Sequence, residues 1–90
     1  MATLSNTHFI SNSAVAGGGG LYNTDGTLLL TGARLTANHA ENGGGLYNTG
    51  GSTATLTNTL FFSNSASALG GGLYNQNSIA ALANATLAAN

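Results

Sequence analysis

Apolar residues recur along this chain at an interval of 26 residues and alternate over short distances with small polar ones. Leucine opens each interval and phenylalanine or leucine follows five positions later. Two apolar columns result: Leu4, Leu30, Leu56 and Leu82, then Phe9, Leu35, Phe61 and Leu87. Short alternation predicts short strands, and a repeat of this length predicts a solenoid in which each unit forms one turn.

Two further motifs recur with the apolar columns. Asparagine occupies a third column: Asn12, Asn38, Asn64 and Asn90. A glycine triplet precedes Leu-Tyr-Asn three times, at Gly18, Gly19, Gly20, at Gly43, Gly44, Gly45 and at Gly70, Gly71, Gly72. We expect the stacked amides to hydrogen-bond along the axis, and the glycines to form corners with positive φ or to permit close backbone approach.

The triplets are 25 and 27 residues apart, so a one-residue slip in one turn is undone in the next. This predicts a loop of variable length between fixed strands. Helices are disfavoured, because the chain contains 14 glycines among many Asn, Ser and Thr residues. The sequence therefore predicts an all-β, single-stranded parallel β-helix of about three and a half coils. It forms one domain, residues 1–90, with coils at 1–26, 27–52 and 53–78 and a partial coil at 79–90.

The motifs resemble the polymorphic outer-membrane protein repeat, which pairs GGA-[ILV] with FxxN. Gly-Gly-Gly-Leu occurs three times, and Phe9-Ile10-Ser11-Asn12 and Phe61-Phe62-Ser63-Asn64 match FxxN in full. Leu35 and Leu87 replace phenylalanine in the other turns, and a third glycine replaces alanine. The resemblance implies a right-handed β-helix from a bacterial surface protein or autotransporter passenger, located extracellularly or at the cell surface, without a shared active site.

Charge is nearly absent: Arg34, Asp25 and Glu41 are the only charged side chains, the net charge is −1, and Lys, Pro and Cys are missing. Without a basic face, nucleic acid is not an expected partner. Without cysteine there is no disulfide or thiolate metal site. No apolar run approaches the roughly 18 residues of a membrane span, and no secretion signal is recognisable.

Enzymes must be considered, because parallel β-helices include polysaccharide lyases and hydrolases. Cleavage of a sugar bond commonly uses two neighbouring carboxyl groups, but Asp25 and Glu41 fall at different positions of their turns. His8 and Arg34 share a column, and His39 has only Ser13 and Ser65 as column neighbours, which are poor metal ligands. The glycine runs lack the Lys and the following helix of a phosphate loop. We therefore expect no catalytic site, no metal and no cofactor.

A tyrosine follows each glycine triplet: Tyr22, Tyr47 and Tyr74. If these rings point outward, with Leu21, Leu46 and Leu73 inward, they form a strip that could stack on sugars or pack against a partner. The alternative is an aromatic ladder that stabilises only the solenoid itself.

Function is predicted from the ends of the coil. The sequence supplies none of the usual protections of a strand edge, such as Lys, Pro, a bulge or a covering helix, and the last segment is the least polar. One hypothesis is a non-enzymatic structural protein that stacks end to end into an extracellular filament, each subunit rotated by about half a turn. The other is a slice of an adhesin whose side face, including the tyrosine strip, binds a host surface or a glycan.

Overall fold

The protein is a stack of short parallel strands without any helix. The structure, a computed structural model, describes residues 1–90. Its strands are β1 (Ala2–Ser5), β2 (His8–Ile10), β3 (Leu21–Thr24), β4 (Thr27–Thr31), β5 (Arg34–Thr36), β6 (His39–Asn42), β7 (Leu46–Thr49), β8 (Thr53–Thr57), β9 (Leu60–Phe62), β10 (Ser65–Leu69), β11 (Leu73–Gln76), β12 (Ile79–Ala83) and β13 (Thr86–Ala88).

Each turn of the chain has four sides, and each side stacks into a parallel sheet. The first side consists of β1, β4, β8 and β12, and the second of β2, β5, β9 and β13. The third side pairs β6 with β10 and reaches the first turn through bridges from Ser13 and Gly17, and the fourth consists of β3, β7 and β11. Leu4 pairs with Leu30 and Leu30 with Leu56, which is the 26-residue register. The predicted all-β parallel solenoid is confirmed.

A residue with left-handed backbone conformation stands at every corner between two sides. The first corner has Asn6, Gly32, Asn58 and Asn84; the second Ser11, Ala37, Ser63 and Ala89; the third Gly18, Gly43 and Gly70; the fourth Asp25, Gly50, Gly51 and Asn77. Only the first glycine of each triplet has positive φ. Glycine occupies fewer than half of all the corners, and Asn, Ser or Ala occupies most of the others. Of these three residues, Asn adopts the left-handed conformation most readily.

The buried core lies in the two middle turns. Leu30, Leu56, Leu35, Phe61 and Leu46 are completely buried. Their column partners at the two ends of the stack are covered on one side only: Leu4 and Phe9 are partly buried, and Leu82 and Leu87 are 44% and 45% exposed. Burial of each apolar column therefore depends on a turn above and a turn below it.

The one-residue slip in the spacing of the glycine triplets is accommodated at two places, one in a strand and one in a loop. The second turn has one residue fewer before its glycine triplet, and β10 of the third turn accommodates the difference with a bulge between Ala66 and Leu69. The second turn regains the residue at its fourth corner, where Gly50 and Gly51 both have positive φ. The predicted variable loop is thus correct only after the triplet. The expectation that no strand edge carries a bulge is wrong for β10, which is an edge strand of its sheet.

Substitutions at Gly44 and Gly51 distinguish the cost of a strained backbone from the cost of a steric clash. A Cβ at Gly44 would lie 2.2 Å from the Ser65 carbonyl oxygen and 2.4 Å from that of Gly71, whereas a Cβ at Gly51 (φ 75°) would meet nothing within 4 Å. We predict that Gly51→Ala lowers the free energy of unfolding by about 1 to 2 kcal/mol through strain alone. Gly44→Ala should lower it by about 3 kcal/mol or more, because two turns must separate. Urea denaturation of both variants measures this, and equal losses would contradict the close packing of turns.

Candidate functional site

The asparagine column forms a continuous hydrogen-bonded ladder through the solenoid. The backbone N–H and the Nδ2 of Asn12 both donate to Oδ1 of Asn38, at 2.9 and 3.1 Å. The same pair of bonds joins Asn38 to Asn64 at 2.9 and 3.0 Å, and Asn64 to Asn90 at 3.0 Å each. Asn38 and Asn64 are buried, and no buried side-chain polar atom lacks a partner.

Each ladder amide also anchors the second side of the turn before it. Nδ2 of Asn38 donates to the Phe9 carbonyl at 2.9 Å, and Nδ2 of Asn64 donates to the Leu35 carbonyl at 2.7 Å. Asn90 repeats the contact with Phe61 at 3.0 Å. The FxxN motif thus joins an inward aromatic or leucine to the amide of the following turn, which explains why the two columns recur together.

The ladder has a direction, and its two ends differ chemically. Backbone and side-chain donors of each asparagine point to Oδ1 of the next turn, so at Asn90 they face the open end of the stack. At the opposite end, Oδ1 of Asn12 accepts no bond from a preceding turn, because Asn12 belongs to the first turn. One end therefore presents donors and the other an acceptor.

A second asparagine ladder follows the tyrosines and was missed by the sequence prediction. Nδ2 of Asn23 donates to Oδ1 of Asn48 at 2.8 Å, and Nδ2 of Asn48 donates to Oδ1 of Asn75 at 2.8 Å. Asn48 also bonds the Ile79 carbonyl at 3.0 Å. The recurrence of Asn after Leu-Tyr was the available signal.

The second and third glycines of each triplet permit close approach between turns. A Cβ at Gly19 would lie 2.4 Å from the Gly44 carbonyl oxygen, and a Cβ at Gly45 would lie 2.5 Å from that of Gly72 and 2.7 Å from the Phe61 ring. The triplet thus combines both predicted uses of glycine, first a left-handed corner and then a side chain-free contact.

The three tyrosines stack on one another along the fourth side. Ring centroids of Tyr22 and Tyr47 are 5.0 Å apart with planes inclined by 22°, and those of Tyr47 and Tyr74 are 5.0 Å apart with planes inclined by 16°. The Tyr47 hydroxyl donates to Oε1 of Gln76 at 2.7 Å. Both faces of Tyr47 are covered by its neighbours, and Tyr22 and Tyr74 each have one face covered, although Tyr22 remains 53% exposed. This geometry favours a ladder over a platform for stacking sugars.

The charged and titratable residues are dispersed. Asp25 is at the fourth corner and Glu41 is exposed on β6. His8 pairs in register with Arg34 on the second side, and Nδ1 of His39 lies 2.9 Å from the Ser65 hydroxyl. No group of three or more His, Cys, Asp or Glu residues is placed to hold a metal ion. No helix in the structure is long and apolar enough to cross a membrane.

One open groove of about 420 Å³ runs along the first corner across three turns. Arg34 lies at its second-turn end, and Asn58, Leu60, Asn84 and Thr86 line it further along the stack. No motif in the sequence pointed to this groove, because its lining residues come together only after the turns stack.

The buried ladder should contribute more to stability than its exposed end. We predict that Asn64→Ala lowers the free energy of unfolding by about 3 kcal/mol or more, since it leaves buried N–H groups of Asn38 without an acceptor. Asn12→Ala removes an exposed donor and should cost about 1 kcal/mol. Chemical denaturation of the two variants provides the comparison, and similar losses would rule out a stabilising ladder.

Tyrosine stacking makes a second prediction. Tyr47 contacts two rings and Tyr22 only one, and each stacked pair contributes about 0.5 to 1.5 kcal/mol beyond burial. Tyr47→Leu should therefore lower the thermal midpoint about twice as far as Tyr22→Leu. Tyr47→Phe keeps the stack and removes only the hydroxyl, so it serves as the control. If Tyr47→Phe is as unstable as Tyr47→Leu, stacking is not the source of the effect.

Comparison with known families identifies the repeat. Residues 58–76 match the family model described as the Chlamydia polymorphic membrane protein (Chlamydia_PMP) repeat. No curated protein and no solved structure shows a significant match to the chain. The match covers most of the third turn, from the first corner through the FxxN asparagine and the glycine triplet to the tyrosine side. The chain is a parallel β-solenoid that carries a repeat of the polymorphic membrane protein type.

Proposed function

We propose that this protein is a non-enzymatic structural component of the cell surface whose solenoid stacks end to end with further copies into an extracellular filament. The supporting observation is that the apolar columns and the asparagine ladder are uncovered at both ends of the stack. The two ends are also chemically complementary to each other. The polymorphic membrane protein repeat supports the surface location, and the scarcity and dispersal of carboxylates and histidines support a role without catalysis.

Apolar contact favours the association. The last turn exposes Leu82 and Leu87, and the first turn leaves Leu4 and Phe9 only partly buried. Within the chain, Leu4 is covered by Leu30 and Phe9 by Leu35. A second copy placed above the last turn would set its Leu4 over Leu82 and its Phe9 over Leu87, which repeats these internal contacts.

Hydrogen bonding favours the same arrangement. The donors of Asn90 face the open end, and Oδ1 of Asn12 in the second copy would accept them, as Oδ1 of Asn38 accepts from Asn12. Strand edges of β12 and β13 would pair with β1 and β2 of the next copy. A net charge of −1 gives little repulsion between copies.

The unequal lengths of the sides favour one register between copies. Along the second side, Asn6 and Ser11 mark corners five positions apart, whereas along the fourth side Gly18 and Asp25 are seven positions apart. Rotation by about half a turn, the arrangement expected from chain length, would place short sides on long ones and misalign the corners. We therefore propose an in-register contact, with Ala2 of one copy above Ala80 of the other.

In-register stacking would leave a window on the third and fourth sides. The partial last turn ends at Asn90, so β10 and β11 would face the next copy across one missing layer, about 10 Å from strand to strand. The contact between copies would then consist of the first and second sides only. This contact is heterologous and does not close on itself, so it generates an open filament.

An adhesin role is the second candidate. Further turns of a longer chain would cover the same open ends by the same columns, and the polymorphic membrane protein repeat supports such a surface solenoid. In that case a host or glycan ligand would bind a side face rather than an end.

Cysteine pairs test the register directly, because the chain contains no cysteine. Ser5 and Ala83 lie in one outward column, three turns apart within a copy, which is too far for an intramolecular disulfide. We predict that the double variant Ser5→Cys, Ala83→Cys forms disulfide-linked multimers under mild oxidation. The half-turn arrangement instead brings Ser5 above Leu69, so Ser5→Cys, Leu69→Cys is the matched alternative.

Multimer ladders on a non-reducing gel provide the readout, with each single-cysteine variant as the control for random dimers. Cross-linking of the Leu69 pair alone would replace the in-register contact with the half-turn one. Cross-linking of neither pair beyond the single variants would exclude end-to-end stacking and favour the adhesin role.

A further inference from the structure

The groove follows the first corner and the start of the second side through the second, third and fourth turns. Asn6, Asn58 and Asn84 occupy this corner in the first, third and fourth turns, but Gly32 occupies it in the second. The following position, Ala33, is also small and is buried. Gly32 brings no side chain into the groove, and the Asn6 amide fills the space that a Cβ would take, with its Oδ1 2.6 Å from that position. The groove of about 420 Å³ extends from Gly32 and Arg34 along the stack to Asn84 and Thr86.

The groove contains the only Lys or Arg side chain of the chain. Arg34 is exposed on β5, and neither Asp25 nor Glu41 is among the lining residues. A guanidinium presents paired N–H donors that match a carboxylate in a planar, bidentate contact. The site is therefore suited to an anion with two coplanar oxygens.

The rest of the lining suits hydroxyl groups around that anion. Asn58 and Asn84 are exposed corner residues whose amides can both donate and accept, and Thr86 contributes a hydroxyl. Leu60, half-buried between Arg34 and Thr86 in the same column, provides an apolar floor. Three turns span about 10 Å, the length of a small sugar unit.

We propose that this groove binds a carboxylated sugar, with its carboxylate on Arg34, its hydroxyls on Asn58, Asn84 and Thr86, and its ring over Leu60. The stacked tyrosines are a weaker site for a sugar, because their ring faces are mostly covered by one another. The proposal rests on the lining of the groove alone and holds whether or not the ends of the solenoid stack.

Matched probes and variants test this site. Saturation-transfer NMR, which observes the ligand and works on monomers and filaments alike, should detect binding of methyl β-D-glucuronide. Methyl β-D-glucoside, which carries a hydroxymethyl group in place of the carboxylate, should bind at least about tenfold more weakly. Arg34→Gln should weaken glucuronide binding about tenfold.

Glu41→Gln is the control variant, because Glu41 is exposed on β6 of the third side and lies outside the groove; its affinity should equal that of the unmodified protein. Circular dichroism checks that each variant is folded. The proposal is overturned if glucuronide receives no saturation from the protein, if glucoside binds equally well, or if Arg34→Gln binds like the unmodified protein. Equal binding of acetate would also overturn it, since it would reduce the site to a simple anion contact.

Discussion

The hydrogen bonds between one turn and the next are the interaction on which this structure depends. No side of a turn is longer than five residues of strand, and none can bury an apolar face alone. Stacking at a 26-residue register places leucine on leucine and asparagine on asparagine, so each buried amide finds its partners in its neighbours. Because an amide buried without partners would be costly, the ladder also fixes the register that buries the leucines.

Because each turn depends on contacts with its neighbours, the first and last turns differ from those in the middle. A turn in the middle receives contacts from both sides, whereas the first and last turns keep exposed leucines, unpaired strand edges and a ladder that stops. Sides of unequal length add directionality, since a neighbouring turn fits only when its corners align. The side faces are almost uncharged and rich in small residues, and the groove beside Arg34 interrupts them. End and side surfaces thus offer two separate kinds of interaction.

The sequence was sufficient for the repeat, the parallel stacking and the inward columns, because side-chain periodicity reports directly which positions face the core. It was insufficient for the corners: Ser11 and Ala37 carry no strong preference for positive φ, and their conformation is imposed by the four-sided path. The bulge in β10 depends on a single extra residue whose location spacing alone does not fix. The groove combines residues from three turns, which come together only when the turns stack.

Electron microscopy of the purified chain, without any partner, tests the central claim that these open ends are made to be covered by like turns. In-register stacking advances each copy by four turns and predicts uniform filaments with an axial repeat of about 19 Å. A repeat of about 17 Å would instead indicate the half-turn arrangement, in which each copy advances by its own three and a half turns. A field of dispersed monomers at high protein concentration would contradict end-to-end stacking altogether.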